Sequence, residues 1–274
     1  MPKPQAPIVP ATPSVHRAAA NTGRNASKTL SPPAQGLRPT AQTAPRRVAT
    51  RDGPPLWRSP PTAPRCNPAP PERRAMPQHI HLVRHGETAW SLTGQHTGTT
   101  DLDLTAHGEE QARSLASMLR SLDARHVLCS PRLRARRTAE LAGLAERLQT
   151  EADLCEWDYG AYEGRRTEDI QQERPGWSVW RDGCPQGEMP ADVAARADRL
   201  IARLLTLEGD VVLFSHGQFG AALAARWIGQ PLPLGQHLAL HPASLSTLSL
   251  DAQHPGRRLI TLWNQTPAQC GADT

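Results

Sequence analysis

No stretch of this 274-residue sequence approaches 18 uninterrupted apolar residues, and no hydrophobic core follows its basic first residues. That argues against a membrane-spanning helix and against a secretory leader, so the expectation is a soluble, cytoplasmic protein with no membrane partner. Cysteine is scarce. Cys66, Cys129, Cys155, Cys184 and Cys270 are odd in number, widely scattered and without a Cys-x-x-Cys pair. This usage disfavours a disulfide framework or a zinc site and suits a reducing compartment. Lysine is rarer still: with Lys3 and Lys28 the only two, every permanent cation after residue 28 is an arginine.

What is present divides sharply near residue 76. Residues 1–75 hold 17 of the 27 prolines and 12 Lys/Arg against Asp52 and Glu72, with no apolar run suited to a strand or helix. Such a segment cannot bury enough apolar surface to offset its ordering entropy, so 1–75 is read as a disordered basic tail. A basic tail can bind nucleic acid, but aromatic residues for stacking on bases are limited there to Trp57, so that partner is set aside. Met76 stands just ahead of the first strand pattern and is read as the physiological start. Residues 76–274 carry 19 Arg against 24 Asp/Glu, so this part is mildly acidic although the whole chain is +5.

Within 76–274, strand-like and helix-like patterns alternate. Strands are expected at 78–84, 125–129 and 210–216, the last so apolar that it reads as central and covered on both faces, and a strand or extended segment at 152–157. Helices are expected at 106–122, 132–148, 190–206 and 218–228. The first carries Leu115, Met118, Leu119 and Leu122 on one stripe, the second Leu141, Leu144, Ala145 and Leu148, and the third Val193, Ala197, Leu200, Ile201 and Leu204. Segments 244–250 and 257–263 alternate as a closing antiparallel pair. The fold class is α/β, a mostly parallel sheet layered with helices.

In such sheets ligands bind beyond the carboxyl ends of the strands. The first strand ends in Arg84-His85-Gly86, the second leads into a helix carrying Arg134, the third delivers Glu156, and the fourth ends in Ser215-His216-Gly217. This set suits a phosphoryl group. Arginine grips phosphate bidentately, for which Arg84 and Arg134 are placed, and His216 would add a third cation if protonated. Gly86 and Gly217 would let backbone N–H groups approach the oxygens, aided by helix N-termini. A neutral His85 can attack phosphorus, and Glu156 can protonate the departing alkoxide and then deprotonate water. The cations are side chains, so no metal and no cofactor is called for.

Four fragments, in order, resemble the signatures of the histidine phosphatase (phosphoglycerate mutase-like) superfamily. They are "LVRHGETAWSLTGQHTGTTDLDLTAHG", "SPRLRARRTAEL", "LCEWDYGAYEG" and "VVLFSHG", and the likeness spans about residues 78–250. The resemblance implies a three-layer αβα fold, a phosphohistidine at His85 and no metal. It also implies phosphate contacts from Arg84, Arg134, His216 and the loop around Ser91, Thr97 and Gly98. Tyr159 in the acid motif and Gly217 join the substrate-binding candidates. So do Trp180 and Arg181, which lie with Trp177 in an insert that could form a lid or simply pack.

Two departures narrow the choice. Ser91 stands where many members carry Asn, and no lysine lies near Thr167, where the cofactor-dependent mutases have one. Hydrolysis of a small phosphorylated metabolite is therefore favoured over mutase-type phosphoryl transfer, with the strongest likeness to sedoheptulose-1,7-bisphosphatase-type sugar phosphatases. A non-catalytic phospho-ligand or nucleic-acid-binding protein is the third reading. His79 and His81, which with His85 could suggest metal ligands, lack evident carboxylate partners and are read as structural.

Overall fold

The structure is a computed structural model that describes residues 79–267. The tail expected over 1–75 lies outside these residues. Six strands form one sheet: β1 (His79–Arg84), β2 (Ala124–Cys129), β3 (Leu148–Thr150), β4 (Asp210–Ser215), β5 (Leu245–Leu250) and β6 (Arg258–Gln265). Their order is β3-β2-β4-β1-β5-β6. The pairs β3–β2, β2–β4 and β4–β1 are parallel, whereas β1–β5 and β5–β6 are antiparallel. Among the described residues, seven α-helices accompany it: α1 (Ala89–Thr93), α2 (Ala106–Leu119), α3 (Leu133–Leu141), α4 (Thr167–Glu173), α5 (Val179–Asp182), α6 (Pro190–Leu204) and α7 (Gly217–Trp227).

Strand alternation sorts the core onto two faces. Ile80 and Leu82 of β1, with Val211 and Leu213 of β4, pack with α6 and α7. Val83, Val212 and Phe214 point the other way, toward Leu115 and Leu119 of α2 and Ala135 and Ala139 of α3. The result is the expected αβα sandwich, with β4 central and buried on both faces. All five apolar positions expected on α6 are buried. The helix starts where Pro190 fixes the first turn and the Asp192 carboxylate accepts the Met189 N–H at 2.9 Å. Among the described residues, no helix is long and apolar enough to cross a membrane.

One expectation fails, and of the two forms open to a second segment the strand is not taken. The helix expected over 132–148 stops at Leu141, because Gly143 adopts φ +86° and the Leu144 N–H reaches back to Ala139 O at 3.0 Å. That left-handed stop frees Leu148–Thr150 to become β3. The buried face of α3 is accordingly Arg134, Ala135, Thr138 and Ala139, not the leucine stripe. Residues 152–157 form no strand either. Ala152–Leu154 is a 3-10 turn, and the carbonyls of Asp153 and Cys155 are held by Arg196 of α6 at 3.0 and 2.6 Å. Carbonyls engaged by a helix side chain are not offered to a neighbouring strand.

The exit of β1 is tied to the start of α2. Thr105 accepts the Gly108 N–H at 3.0 Å and donates to the Glu87 carboxylate at 2.7 Å. Gly86 and Gly108 lie against each other so closely that a Cβ on Gly108 would stand 2.1 Å from Glu87 O, and one on Gly86 2.5 Å from Gly108 O. Helix propensity alone would make Gly108→Ala stabilising by about 1 kcal/mol. The clash reverses the sign: the substitution is expected to cost about 1–3 kcal/mol net. Thermal unfolding should show a melting temperature lower by roughly 3–10 °C, together with reduced activity; an unchanged or raised value would contradict this packing.

Candidate active site

Parallel register assembles the site. Arg84 lies beside Ser215 on β4, so His85 and His216 follow at one level, while β2 ends one residue earlier, with Cys129 beside Phe214. Ser130, the next residue of β2, still reaches the site through its Oγ, 2.8 Å from His216 Nε2. The antiparallel β5 enters from the same edge: Ser244 O accepts the Arg84 N–H at 3.1 Å, and Ala243 N donates to His85 O at 3.0 Å.

His85 is buried, and its Nδ1 lies 2.7 Å from Gly86 O. A carbonyl can only accept, so Nδ1 carries the proton and Nε2 holds the free lone pair. Burial, then the charges of Arg134 and Arg84, push the His85 pKa well below the ordinary histidine value. His216 sits with its ring centroid 5.2 Å from that of His85, wholly enclosed, with Nε2 2.8 Å from Ser130 Oγ. Burial, followed by Arg134, His85 and Arg84, lowers its pKa well below the usual range as well. These effects disfavour, in the free protein, the protonated His216 that would act as a third cation.

Arg134 is fully enclosed, its guanidinium donating to the carbonyls of Thr97 (2.9 Å), Gly98 (3.2 Å) and Thr100 (3.1 Å). Arg84 reaches the cleft and donates from Nη1 to Leu240 O. Arg84 Nε, Arg134 Nε and His216 Nδ1 are buried without a hydrogen-bond partner, and the charges of both arginines act on the His85 and His216 rings. Buried polar atoms are rarely left unsatisfied, and unpartnered nitrogens on these groups suit the oxygens of an anion.

Glu156 arrives on the loop after the 3-10 turn, not on a strand. Its Oε1 accepts the N–H groups of Trp157 (3.0 Å) and Phe219 (2.7 Å), and its Oε2 that of Gln218 (3.0 Å). Of about four lone-pair sites on a carboxylate, the one left over is on Oε2. The first turn of α7 is thus partly occupied by Glu156. The loop is clamped by Arg196, which forks onto Glu188 at 2.9 and 2.7 Å and lies 4.3 Å over the Phe219 ring.

The other expected residues divide. Ser91, Thr97, Tyr159, Gly217 and Trp180 line a cleft of about 350 Å³ with Arg84, His85 and Glu156. The Ser91 hydroxyl is engaged in the cap of α1, donating to Thr88 O at 3.0 Å. The Gly98 N–H donates to Glu163 and its carbonyl holds Arg134, so it acts behind the cleft. Gly217 lies against the Arg84 guanidinium, where a Cβ would stand 3.2 Å from its carbon. Gly86 does not offer its N–H to a ligand, because Thr138 Oγ1 accepts it at 3.0 Å. Arg181 is not brought to the site: it is exposed and forked onto Asp182. Trp177 packs on Tyr162 and His96, while Trp180 both lines the cleft and packs edge-on against Trp157. His79 does meet a carboxylate, Asp210 at 3.1 Å, yet among the described residues no group of three or more His, Cys, Asp or Glu side chains is arranged to hold a metal.

Sequence reasoning missed His96, Gln95, Gln218 and Gln236, all of which line the cleft. Gln95 and His96 stand inside the first signature fragment and could have been drawn from it, and Gln218 directly follows the second histidine motif. Gln236 carried no signal, because it arrives on an irregular 3-10 segment, Leu232–His237.

Residues 80–266 match the family model of the histidine phosphatase superfamily (branch 1). The chain is 44% identical over 187 residues to an acid phosphatase of Mycobacterium tuberculosis, a match covering 66% of this chain and 90% of the relative. It is 39% identical over 181 residues to the sedoheptulose 1,7-bisphosphatase of Saccharomyces cerevisiae, covering 54% of this chain and 66% of that one. The solved structure of an open reading frame product of Mycobacterium tuberculosis aligns with a TM-score of 0.64 at 39% identity, over 69% of this chain and 98% of that one. With both histidine motifs at one sheet edge and a family match running from β1 to beyond β6, the chain belongs to the histidine phosphatase superfamily.

Proposed function

We propose that this chain is a phosphatase that hydrolyses small phosphate monoesters through a phosphohistidine at His85. The observation that carries this reading is the trio of unpartnered buried atoms, Arg84 Nε, Arg134 Nε and His216 Nδ1, together with an imidazole whose Nε2 lone pair is free. The names of the relatives, an acid phosphatase and a sedoheptulose bisphosphatase, support hydrolysis. Among the described residues there is no lysine, and Thr167, where the mutases have one nearby, lines the cleft beside His96.

In the first step His85 Nε2 attacks phosphorus and the bond to the ester oxygen breaks. Arg84 and Arg134 hold the phosphoryl oxygens through charge-assisted hydrogen bonds. The leaving alkoxide takes a proton from Glu156 Oε2 and departs as the free alcohol. In the second step the Glu156 carboxylate removes a proton from water, the oxygen attacks phosphorus, and His85 leaves with its lone pair restored. A bound phosphoryl dianion beside His216 opposes the effects that keep that ring neutral, so the ring can become a donor when substrate arrives.

Rapid quench with a ³²P-labelled monoester should trap an acid-labile, base-stable label on the wild-type chain and none on His85→Ala. Glu156→Gln should lower kcat by about 10²–10⁴-fold while phosphate binding persists, and EDTA should leave turnover unchanged. A label persisting in His85→Ala, or activity abolished by the chelator, would sink the mechanism.

The lowered pKa of both histidines sets a second expectation, since a depressed imidazole stays neutral as pH falls through the ordinary value near 6.5. An NMR titration of ring resonances should find His85 and His216 of the free protein titrating below the ordinary histidine value near 6.5. A midpoint near 6.5 at His85 would contradict the buried environment described here.

A further inference from the structure

The cleft above His85 changes character away from its floor. Among the described residues, its charged lining is Arg84 and Glu156 alone, both at the reacting end. The outer lining is uncharged but rich in hydrogen-bonding groups and one broad ring: Gln95, His96, Thr167, Gln218, Gln236 and Trp180. His96 stacks on Tyr159 at 4.5 Å between ring centroids and lies 3.2 Å from Thr167 Oγ1. Burial lowers its pKa to about 4, so it contributes no positive charge near neutrality. Tyr159 donates to Gln218 Oε1, so the Gln218 amide N–H groups can donate to a hydroxyl.

The arginines nearest the rim are committed elsewhere. Arg181 forks onto Asp182, Arg166 onto Asp169 at 2.9 and 2.8 Å, and Arg165 onto Glu173 at 3.0 and 2.7 Å. Arg132 donates from Nη1 to Thr99 O at 2.9 Å; its Nε is buried without a partner and its charge acts on His216 and Arg134, behind the cleft and not among its lining residues. A phosphate carries about two negative charges near neutral pH. A second one in this cleft would meet amides, a neutral imidazole and an indole, with Glu156 and the first phosphate repelling it.

We propose that the cleft takes a single phosphate: a phosphomonoester whose remaining part is uncharged and bears hydroxyl groups, with bisphosphates disfavoured. This rests on the hydrolase reading above and separates the chain from its relative named a bisphosphatase. Trp180 offers the apolar face of a sugar-sized group a flat surface, and the Gln218 amide N–H groups and the Gln236 side chain can meet its hydroxyls, whereas Gln95 is held by Thr93 and Gly164 O.

The test uses the full chain and two matched pairs: glucose 6-phosphate against glucose 1,6-bisphosphate, and fructose 6-phosphate against fructose 1,6-bisphosphate. Each is assayed by phosphate release, or by competition with p-nitrophenyl phosphate where turnover is slow. The expected result is a preference for the monophosphate of each pair by about tenfold or more, in kcat/KM or in inhibition constant. Gln236→Arg, which adds a cation on an exposed 3-10 turn, should narrow the preference by about tenfold. A bisphosphate favoured in both pairs, or a preference unmoved by Gln236→Arg, would overturn the single-phosphate proposal while leaving the hydrolase reading standing. Failure to hydrolyse p-nitrophenyl phosphate, with no label on His85, would overturn the hydrolase reading and this proposal together.

Discussion

Burying guanidinium donors beside a neutral imidazole is the constraint on which the rest of this structure depends. Burial pulls the pKa of Arg84 and Arg134 down, and the Glu156 carboxylate acts in the opposite direction. Taking a cation out of water costs several kcal/mol unless polar groups replace the solvent. Here the replacements are backbone carbonyls. The 97–100 loop turns three of them onto Arg134, and the segment entering β5 turns Leu240 O onto Arg84. These irregular segments therefore hold fixed shapes because a charge beneath them needs their oxygens. The Nε atoms left over give the arrangement its reason, since an anion would complete them.

A second arginine plays a purely supporting part. Arg196 spans from α6 to the carbonyls of Asp153, Cys155 and Glu156 and to the Glu188 carboxylate. Glu188 in turn accepts the N–H of Asp158 at 3.0 Å and, through its carbonyl, the indole N–H of Trp157 at 2.9 Å. Glu156 is thus fixed from both sides, by its own contacts with α7 and by this clamp behind its loop. Proton transfer depends on donor–acceptor geometry to within tenths of an ångström, which makes an ionic clamp on an otherwise irregular loop physically reasonable.

Much of this was legible in the sequence where one strong local pattern met one structural role. β1, β4 and α6 follow from apolar periodicity, and the convergence of His85, Arg134, Glu156 and His216 follows from their places in the chain. Illegible features were those decided by tertiary contacts. Glu156 could be assigned to the site but not to a loop, because the hydrogen bonds that keep 152–157 out of the sheet come from Arg196, more than forty residues away. Gly86 looked like a ligand-facing glycine, yet its bareness serves Gly108 and its N–H serves Thr138. Arg181 looked like a substrate contact until Asp182, its immediate neighbour, took it. The α3 stop has a local signal in Gly143, but the leucine stripe continues past it and points to a longer helix.

If the unpartnered nitrogens of Arg84, Arg134 and His216 form a phosphoryl seat in front of His85 Nε2, a crystal structure with orthovanadate bound should show it. Vanadate oxygens are expected at hydrogen-bond distance, about 2.7–3.2 Å, from Arg84 Nε, Arg134 Nε and His216 Nδ1, with vanadium in line with His85 Nε2. Vanadate bound elsewhere in the cleft, or these three atoms satisfied by protein groups while it is bound, would contradict this seat.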